Sequence, residues 1–467
     1  MSKDVYVDTY GRSHVASKVL SSGGQGIVYR TEEPNTLLKL EWDPLTQEIK
    51  KDTTNNTKFD EIRILPLLEK TNLTLPQTTL RDVAGYTMKL LDDMKSFEEV
   101  FSSEGNEFPD NPWLDDFRES CPDIEKQLKQ YISSGGLRKR LNAYMKSACV
   151  LAKIHASGLV YCDVSDKNMF VSSDSNKANV WLIDCDNLDY MKNTAKNSGW
   201  RTPGFGAPEV YQGKGNTMYS DVYSFAIALF WTLTTKHPFI GAAVEDALNE
   251  EDFLDDPEED FACSRDFAWI SDRQDDSNDS DIGLPHRMFI SEALTNYFQV
   301  TFSKEGRKNR QKRTTMPEWA YILAKELDHT VRCGHCQMDY YGSDHSTCPW
   351  CDSENQLIRV KSKKVIDNHH VKQWDFVHEQ QNAYVDIPLR LLEGFCCDHM
   401  DENAFRLRYV GDEVEIIDMS NQYDFSVISE GHEKLIYGST KIVAKNGLVI
   451  HAVCKKNNLC ILLEIGV

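Results

Sequence analysis

Tyr161-Cys162-Asp163-Val164-Ser165-Asp166-Lys167-Asn168 lies between an apolar helical run, Leu151 to Gly158, and a short strand, Met169-Phe170-Val171. The stretch sets an aspartate and an asparagine five residues apart in one turn. Phosphoryl transfer from a nucleotide needs a carboxylate to take the acceptor hydroxyl's proton and an amide oxygen to hold magnesium beside the phosphates. Asp163 and Asn168 supply both. Alone, the octapeptide also fits an ordinary polar loop, and its neighbours decide between the two.

Ser21-Ser22-Gly23-Gly24-Gln25-Gly26-Ile27-Val28 joins two strand-like runs. Its glycines let backbone N–H groups approach phosphates with no Cβ in the way. A glycine-rich hairpin without a ligand fits the same residues. Leu37-Leu38-Lys39-Leu40 sets one lysine inside an apolar strand, where an edge lysine facing water is the plain alternative. Downstream, the apolar run Val180-Trp181-Leu182-Ile183 ends in Asp184, followed by Cys185-Asp186-Asn187. A strand ending in a carboxylate can present it to a metal ion beside the phosphates. Thr202-Pro203-Gly204-Phe205-Gly206-Ala207-Pro208-Glu209 and Ser220-Asp221-Val222-Tyr223-Ser224-Phe225-Ala226 follow in that order. A carboxylate such as Glu209 needs a cation once buried, because an unpaired buried charge is costly.

In this order the motifs resemble the protein-kinase family over roughly residues 10–325. The resemblance implies a bilobal α+β fold that binds ATP and magnesium. Ser21, Ser22, Gly23, Gly24, Gln25, Gly26 and Val28 would then cover the phosphates, although Ser21 stands where the family has its first glycine. Lys39 would contact the α- and β-phosphates and pair with a glutamate of the following helix. Glu61, in Phe59-Asp60-Glu61-Ile62-Arg63, is preferred to Asp60 as that partner. Asp163 would orient the acceptor hydroxyl and take its proton. Asn168 and Asp184 would hold magnesium, with Asp186 left as a capping residue. Met88 would be the gatekeeper, and Lys89 to Leu91 the hinge that faces adenine. Asp221 would accept backbone N–H bonds from the catalytic loop, a charge-assisted contact that preorganises it. Arg313 would pair with Glu209. Thr202 matches the threonine by which serine/threonine kinases hold the catalytic aspartate, which favours serine or threonine acceptors over tyrosine.

Besides Ser21, four positions depart from the family pattern. Cys162 replaces the arginine that clamps a phosphorylated activation loop, so switching of that kind is not expected, and Thr194 and Ser198 are secondary candidates for phosphorylation. Ser165 replaces the lysine that steadies the transferred phosphoryl group, which slows the chemistry unless Lys167 or another cation substitutes. Cys185 and Asp186 replace the usual phenylalanine and glycine after Asp184, which argues against a large flip of that segment. An active enzyme controlled by partners is the expectation. A pseudokinase scaffold that binds nucleotide and assembles partner proteins is the alternative; a small-molecule or RNA kinase gains little from the sequence.

With 467 residues the chain has room for about three domains. Its 40% of hydrophobic residues suffices for ordinary cores. A formal charge of −21 argues against sequence-independent nucleic-acid binding, which relies on Lys and Arg against phosphates. The N-terminus lacks the apolar core of a signal peptide, and the longest apolar run, near 225–233, is about half the roughly 18 residues a spanning helix needs. No membrane is therefore expected. Thirteen cysteines without a disulfide-like framework fit a reducing cytoplasm.

Acidic residues crowd the span 245–281, in Glu250-Glu251-Asp252, Glu258-Glu259-Asp260 and Asp275-Asp276. They read as a solvated insertion or as a docking surface for a basic partner. The basic run with Arg307, Lys308, Arg310 and Lys312 is its natural complement. A second insertion over 96–136, with Phe108, Trp113 and Phe117, should elaborate the lobe below the ATP cleft.

Cys333-Gly334-His335-Cys336 and Cys348-Pro349-Trp350-Cys351 are two C-x-x-C knuckles with the spacing that sets four thiolates tetrahedrally around zinc. Four cysteine ligands close the site, so this zinc is structural, and His335 and His345 flank it. Further on, Val414-Glu415-Ile416-Ile417, Lys441-Ile442-Val443-Ala444, Leu448-Val449-Ile450 and Leu459-Cys460-Ile461-Leu462-Leu463 read as short strands of a sandwich or barrel. Asn446-Gly447 signals a hairpin between the second and third. Cys396-Cys397-Asp398-His399 reads as an ordinary loop, because adjacent cysteines chelate one ion badly.

The catalytic loop, the segment Ile183-Asp184-Cys185-Asp186 and the knuckle Cys348-Pro349-Trp350-Cys351 are together similar to a bacterial kinase family. Such kinases are encoded beside von Willebrand factor A proteins and metal-dependent phosphatases in tellurite-resistance and phage-defence loci. That resemblance implies protein substrates bearing serine or threonine, with a cognate phosphatase and a von Willebrand factor A protein as partners. The expected layout is a kinase N-lobe over 1–91, a C-lobe with acidic insertions over 92–327, a zinc ribbon over 328–356 and a small all-β domain over 357–467.

Overall fold

The computed structural model describes residues 4–23, 26–43, 45–46, 48–102, 114, 118, 121–197, 199–250, 257–280, 284–343, 345–367, 369–380, 383–429, 432–443 and 447–466. Gly24, Gln25, Phe108, Trp113, Phe117, Ser198, Glu251, Asp252, Ala444 and Asn446 lie outside the described residues. Strands β1 (Val5–Val7), β2 (Ser13–Gly23), β3 (Gly26–Thr31) and β4 (Thr36–Leu40) follow one another in antiparallel pairing. With β5 (Thr78–Thr79) and β6 (Gly85–Lys89) they make a sheet of order β1-β2-β3-β4-β6-β5.

Side chains alternate across a strand. Leu38 and Leu40 of β4 therefore enter one small core with Ala16, Ile27 and Leu80, while Leu37 packs on the other face with Phe59, Tyr86 and Met88. The same alternation sends Lys39 to the second face, and the ladder pairs it with Tyr86. Helix α1 (Asn56–Arg63) covers that face with Asn56, Phe59 and Ile62, buried and three residues apart. Asn56 Nδ2 donates to the carbonyls of Leu80 (2.8 Å) and Val83 (3.1 Å), and Gly85 N donates to Asn56 Oδ1 (3.0 Å). These bonds fasten the start of α1 to the β5–β6 connection.

A larger core runs unbroken from Leu73 to the C-terminal strands. Its main helices are α2 (Gly136–Ala156), α3 (Met218–Thr234) and α4 (Met316–His329). Capping boxes start two of them, Thr217 with Ser220 at α3 and Thr315 with Glu318 at α4. After α2, Gly158 (φ +75°) turns the chain into a strand pair, Leu159–Val160 with Asp189–Tyr190. The Asp163 loop then leads to the antiparallel pair Met169–Ser172 and Val180–Leu182.

The acidic insertion is not simply a solvated loop. Ala242–Glu250 and Glu258–Ser264 are helical, and Asp260 is buried. Asp260 accepts Gly204 N (3.2 Å) and Tyr211 OH and pairs with Arg201 (3.4 Å), so it clamps the segment around Thr202. Within the basic run, Arg307 pairs with Asp266 (3.1 Å).

The C-terminal region folds as two antiparallel sheets. The larger has the order His369–Glu379, Leu357–Ile366, Cys460–Gly466, Leu448–Cys454, Tyr423–Ser429, His432–Ile436. The smaller has the order Val385–Pro388, Asn403–Val410, Glu413–Ile417, Thr440–Val443. Phe405 of one meets Phe425 of the other edge-on, 5.7 Å between centroids. A short helix, Arg390–Glu393, also belongs here, so the region is strand-rich rather than purely β.

The hairpin expected at Asn446-Gly447 does not form between those strands. Thr440–Val443 pairs in the small sheet, whereas Leu448–Cys454 pairs in the large one. Gly447 (φ +91°) sits where the chain changes sheets. The loop with Cys396 and Cys397 docks on α2, where Lys153 pairs with Asp398 (2.6 Å) and Lys146 with Asp401 (2.8 Å). Among the described residues no helix is long and apolar enough to cross a membrane.

Candidate active site

Asp221, 1% exposed at the start of α3, fixes the loop that follows α2. Its Oδ2 accepts Tyr161 N (2.8 Å), its Oδ1 accepts Cys162 N (3.0 Å), and His155 Nε2 lies 3.0 Å from Oδ2. Cys162 adopts φ +73°, a left-handed conformation that costs a non-glycine residue about 1–2 kcal/mol. Asn216 Nδ2 secures it by donating to the Cys162 carbonyl (3.2 Å) and to that of Trp200 (2.9 Å). Next in the chain, Asp163 Oδ1 accepts Thr202 Oγ1 (2.8 Å) and Oδ2 accepts Asn168 Nδ2 (3.0 Å). Burial holds the Asp163 carboxyl above its ordinary pKa, and Asp184 adds to this, while the bonds from Thr202 and Asn168 oppose it.

The strand ending at Asp184 is tied to that loop. Ile183 N donates to Asn168 O (3.0 Å), and Tyr161 OH donates to Ile183 O. Asp184 takes φ +55° and ψ +56°. Its carboxylate and the Asn168 amide oxygen are hard donors, the chemistry that suits magnesium. Lys39 Nζ pairs with Asp184 Oδ1 and with Asp186 Oδ2 (2.6 Å). Burial disfavours the lysine's charge, but the two carboxylates outweigh it and raise its pKa.

Glu61 is not brought to Lys39. It is exposed, and Asp60 pairs with Arg63 (3.1 Å). The reason is helix phase: Asn56, Phe59 and Ile62 occupy the buried face, and at about 100° per residue Glu61 falls on another. Asp186, expected to be a cap, takes the lysine instead, and Tyr86 OH donates to its Oδ1. Sequence reasoning missed Asp186, Tyr86, Asn216, His155 and Asp260. The alternation of β4 and the second aspartate of Asp184-Cys185-Asp186 were the signals available for the first two.

Ser21, Ser22 and Gly23 face Val28, Ile27 and Gly26 across the β2–β3 hairpin. Gly26 has to be glycine, since a Cβ there would lie 2.5 Å from Leu40 O. Met88 is buried opposite Leu37, the Lys89 ammonium lies 4.4 Å from the Trp181 ring centroid, and Leu91 is half-buried. Ser165 is fully buried, and its Oγ has no hydrogen-bond partner among the described residues. Lys167 is exposed and pairs with Glu98 (3.5 Å). Thr194 is buried, its hydroxyl donating to Asn216 O (2.9 Å), so it is not presented for phosphorylation. Glu209 and Arg313 form a buried bidentate pair with both N–O distances at 2.8 Å.

A second cluster lies apart from these residues. The sulfurs of Cys333, Cys336, Cys348 and Cys351 all lie within 4.8 Å of one another. Cys333 and Cys351 are 3.7 Å apart, as are Cys336 and Cys348. A tetrahedral ion with bonds of about 2.3 Å sets its sulfurs about 3.8 Å apart, so the four fit zinc. The backbone N–H of His335 and the Asn355 amide point at Cys333 Sγ, 3.4 and 3.5 Å away.

Residues 119–318 match the family model described as the protein kinase domain. The match contains Asp163, Asn168, Asp184, Thr202, Glu209, Asp221 and Arg313, while Lys39 and α1 precede it. The serine/threonine-protein kinase AtPK1/AtPK6 of Arabidopsis thaliana is 31% identical over 93 residues, 20% of this chain and 19% of that protein. The probable serine/threonine-protein kinase gdt8 of Dictyostelium discoideum is 26% identical over 165 residues, 33% of this chain and 12% of that protein. The receptor kinase-like protein Xa21 of Oryza sativa subsp. japonica is 28% identical over 110 residues, 22% and 11% of the two chains. The chain thus spans 19% of the length of the first relative. Loop geometry and sequence match converge on one assignment: this chain carries a protein kinase domain, related to those of serine/threonine kinases.

Proposed function

We propose that the protein is a magnesium-ATP-dependent serine/threonine protein kinase that transfers the γ-phosphate to protein hydroxyls. The observation that carries this reading is the bracing of Asp163, one carboxylate oxygen held by Thr202 and the other by Asn168. A carboxylate held at both oxygens is fixed to receive the proton of an incoming hydroxyl. Magnesium, when held by Asn168 and Asp184, neutralises charge on the phosphates. Lys39 and the hairpin from Ser21 to Val28 hold those phosphates, and Met88 with Lys89 to Leu91 faces adenine. The segment from Thr202 to Glu209, clamped by Asp260 and Arg313, is the platform for the acceptor peptide. The Cys333, Cys336, Cys348 and Cys351 cluster holds a structural zinc. A cytoplasmic setting fits thirteen cysteines of which none forms a disulfide. Bacterial stress or phage-defence signalling, with a cognate phosphatase and a von Willebrand factor A protein, extends the proposal on motif resemblance alone.

A pseudokinase scaffold is the second reading, favoured by the buried Ser165 where a cation is usual and by the Glu98 pairing of Lys167. Labelled ATP with magnesium separates the two, using wild type, Asp163→Asn and Asp184→Asn with candidate acceptor proteins. The kinase reading expects label on serine or threonine, reduced about a hundredfold or more in both variants. Magnesium-dependent ATP binding with no transfer to any protein would establish the scaffold.

A further inference from the structure

Two carboxylates reach one lysine, and the metal role claims only Asp184. Asp184 is the more open of the two, with its side chain 26% exposed against 12% for Asp186. Asp186 lies deeper because the turn Cys185–Asn187 directs it inward behind the fully buried Cys185. Its two oxygens are divided: Lys39 Nζ lies 2.6 Å from Oδ2, and Tyr86 OH donates to Oδ1. Lys39 and Tyr86 are direct partners on neighbouring strands, so one register sets both donors against one carboxylate.

Helix α1 has no comparable group to offer. It presents Phe59, whose ring centroid lies 4.7 Å from that of Tyr86, and Ile62. Glu61 stands about 200° around the helix from Phe59 and about 100° from Ile62. Turning it inward would expose both apolar side chains and break the three Asn56 bonds that hold the helix start. We propose that Asp186, and not a glutamate of α1, is the positioning residue that holds Lys39 for the nucleotide, an inference that rests on the kinase reading above. The lysine's carboxylate partner then belongs to the same turn as the metal ligand. Assembly of the phosphate site follows the placement of that turn rather than a swing of α1.

The test uses the full chain with Asp186→Asn, Tyr86→Phe and Glu61→Gln. It measures the dissociation constant for magnesium-ATP, kcat and KM for ATP, and the unfolding temperature. Asp186→Asn should lower kcat/KM for ATP on the order of a hundredfold, as expected when one partner of a buried charge pair is truncated. Glu61→Gln, exposed, should stay within about twofold of wild type. Tyr86→Phe keeps the carboxylate and removes one of its bonds, for about a tenfold loss; it carries the test should Asp186→Asn fail to fold. An active wild type silenced by Glu61→Gln and not by Asp186→Asn overturns the proposal and leaves the kinase reading intact. A wild type that binds magnesium-ATP and transfers nothing ends the kinase reading, and the proposal is then decided by the dissociation constants. Weaker binding in Asp186→Asn alone supports it, and equal constants overturn it. A wild type that neither binds nor transfers overturns both.

Discussion

Asp328 closes α4 with a carboxylate that reaches into the strand-rich region. Its Oδ2 accepts Trp374 Nε1 (2.7 Å) and Arg390 Nε (2.6 Å), and its Oδ1 pairs with Arg390 Nη2. Asp328 is 2% exposed and Arg390 8%. Asp328→Asn keeps an acceptor for Trp374 but leaves the guanidinium buried without a counter-ion. Breaking a buried pair in this way costs about 3–5 kcal/mol. The core it belongs to runs from Leu73 into the last strands. With about 2.1 cal/mol/K of unfolding entropy per residue, a unit of that size moves by about 1 °C for each kcal/mol, so the unfolding temperature should fall by roughly 3–6 °C. Arg390→Met should cost a similar amount, because it strands the carboxylate. The double variant removes both charges together and should recover most of the loss. Denaturant unfolding would be followed by tryptophan fluorescence and far-UV circular dichroism in parallel. Coincident curves are expected, since one core runs from the helices into the C-terminal strands. The reasoning is refuted if the two single losses simply add in the double variant, or if Asp328→Asn costs less than about 1 kcal/mol.

Thr202→Val should move the acid limb of the kcat/KM profile to higher pH, because the lost hydroxyl bond is one of those that hold the Asp163 carboxyl down. Thr202→Ser should restore it, and a rate lowered equally at every pH would assign Thr202 a merely structural role. Metal analysis should find one zinc per chain. Cys348→Ser should lose it, together with much of a binding free energy of about 10–16 kcal/mol, read as new reactivity of Cys333 and Cys336 toward thiol reagents. Asp166 has its carboxyl pushed up by burial from 3.8 to about 6. A raised carboxyl favours the folded state while protonated, so that stability is present below pH 3.8 and is lost as the pH rises to about 6. Asp166→Asn should therefore be more stable than wild type at pH 7, by at most about 3 kcal/mol, with no advantage near pH 4. A gain independent of pH would refute that account.

The geometry of the loop from Tyr161 to Asn168 was legible because an acid and an amide five residues apart are brought together by one turn, as they are here, while its function had to be read from the motifs around it. Thr202, Asp221 and Arg313 were legible for another reason, the resemblance of their segments to a known family, while only the need of Glu209 for a cation followed from the cost of an unpaired buried charge. Glu61 failed where such reasoning ignored helix phase. The stripe Asn56, Phe59, Ile62 is written in the sequence, and Glu61 stands off it. Asn446-Gly447 marks a reversal but carries no information on which sheet receives the next strand. Asp260 was submerged in a charge count. Burial of a carboxylate depends on donors far along the chain, here Gly204 and Tyr211, and composition is blind to them.

The exposure of Glu61 and the burial of Asp186 bear on one physical feature of the molecule. Tyr86 packs in a small core of the N-terminal sheet with Leu37, Phe59 and Met88, whereas Cys185 belongs to the large core. The pairs of Lys39 with Asp184 and Asp186 therefore join two separately packed cores. Buried charges tolerate no half-formed state, since a lysine withdrawn from both carboxylates leaves uncompensated charge on each side. Had Glu61 been the partner, that part of the linkage would lie wholly within the N-terminal sheet and its covering helix, and Asp184 alone would tie Lys39 to the large core. With Asp186 as partner, joining the two cores and assembling the lysine site depend on the same contact, and whatever shifts the Cys185–Asn187 turn acts on both at once.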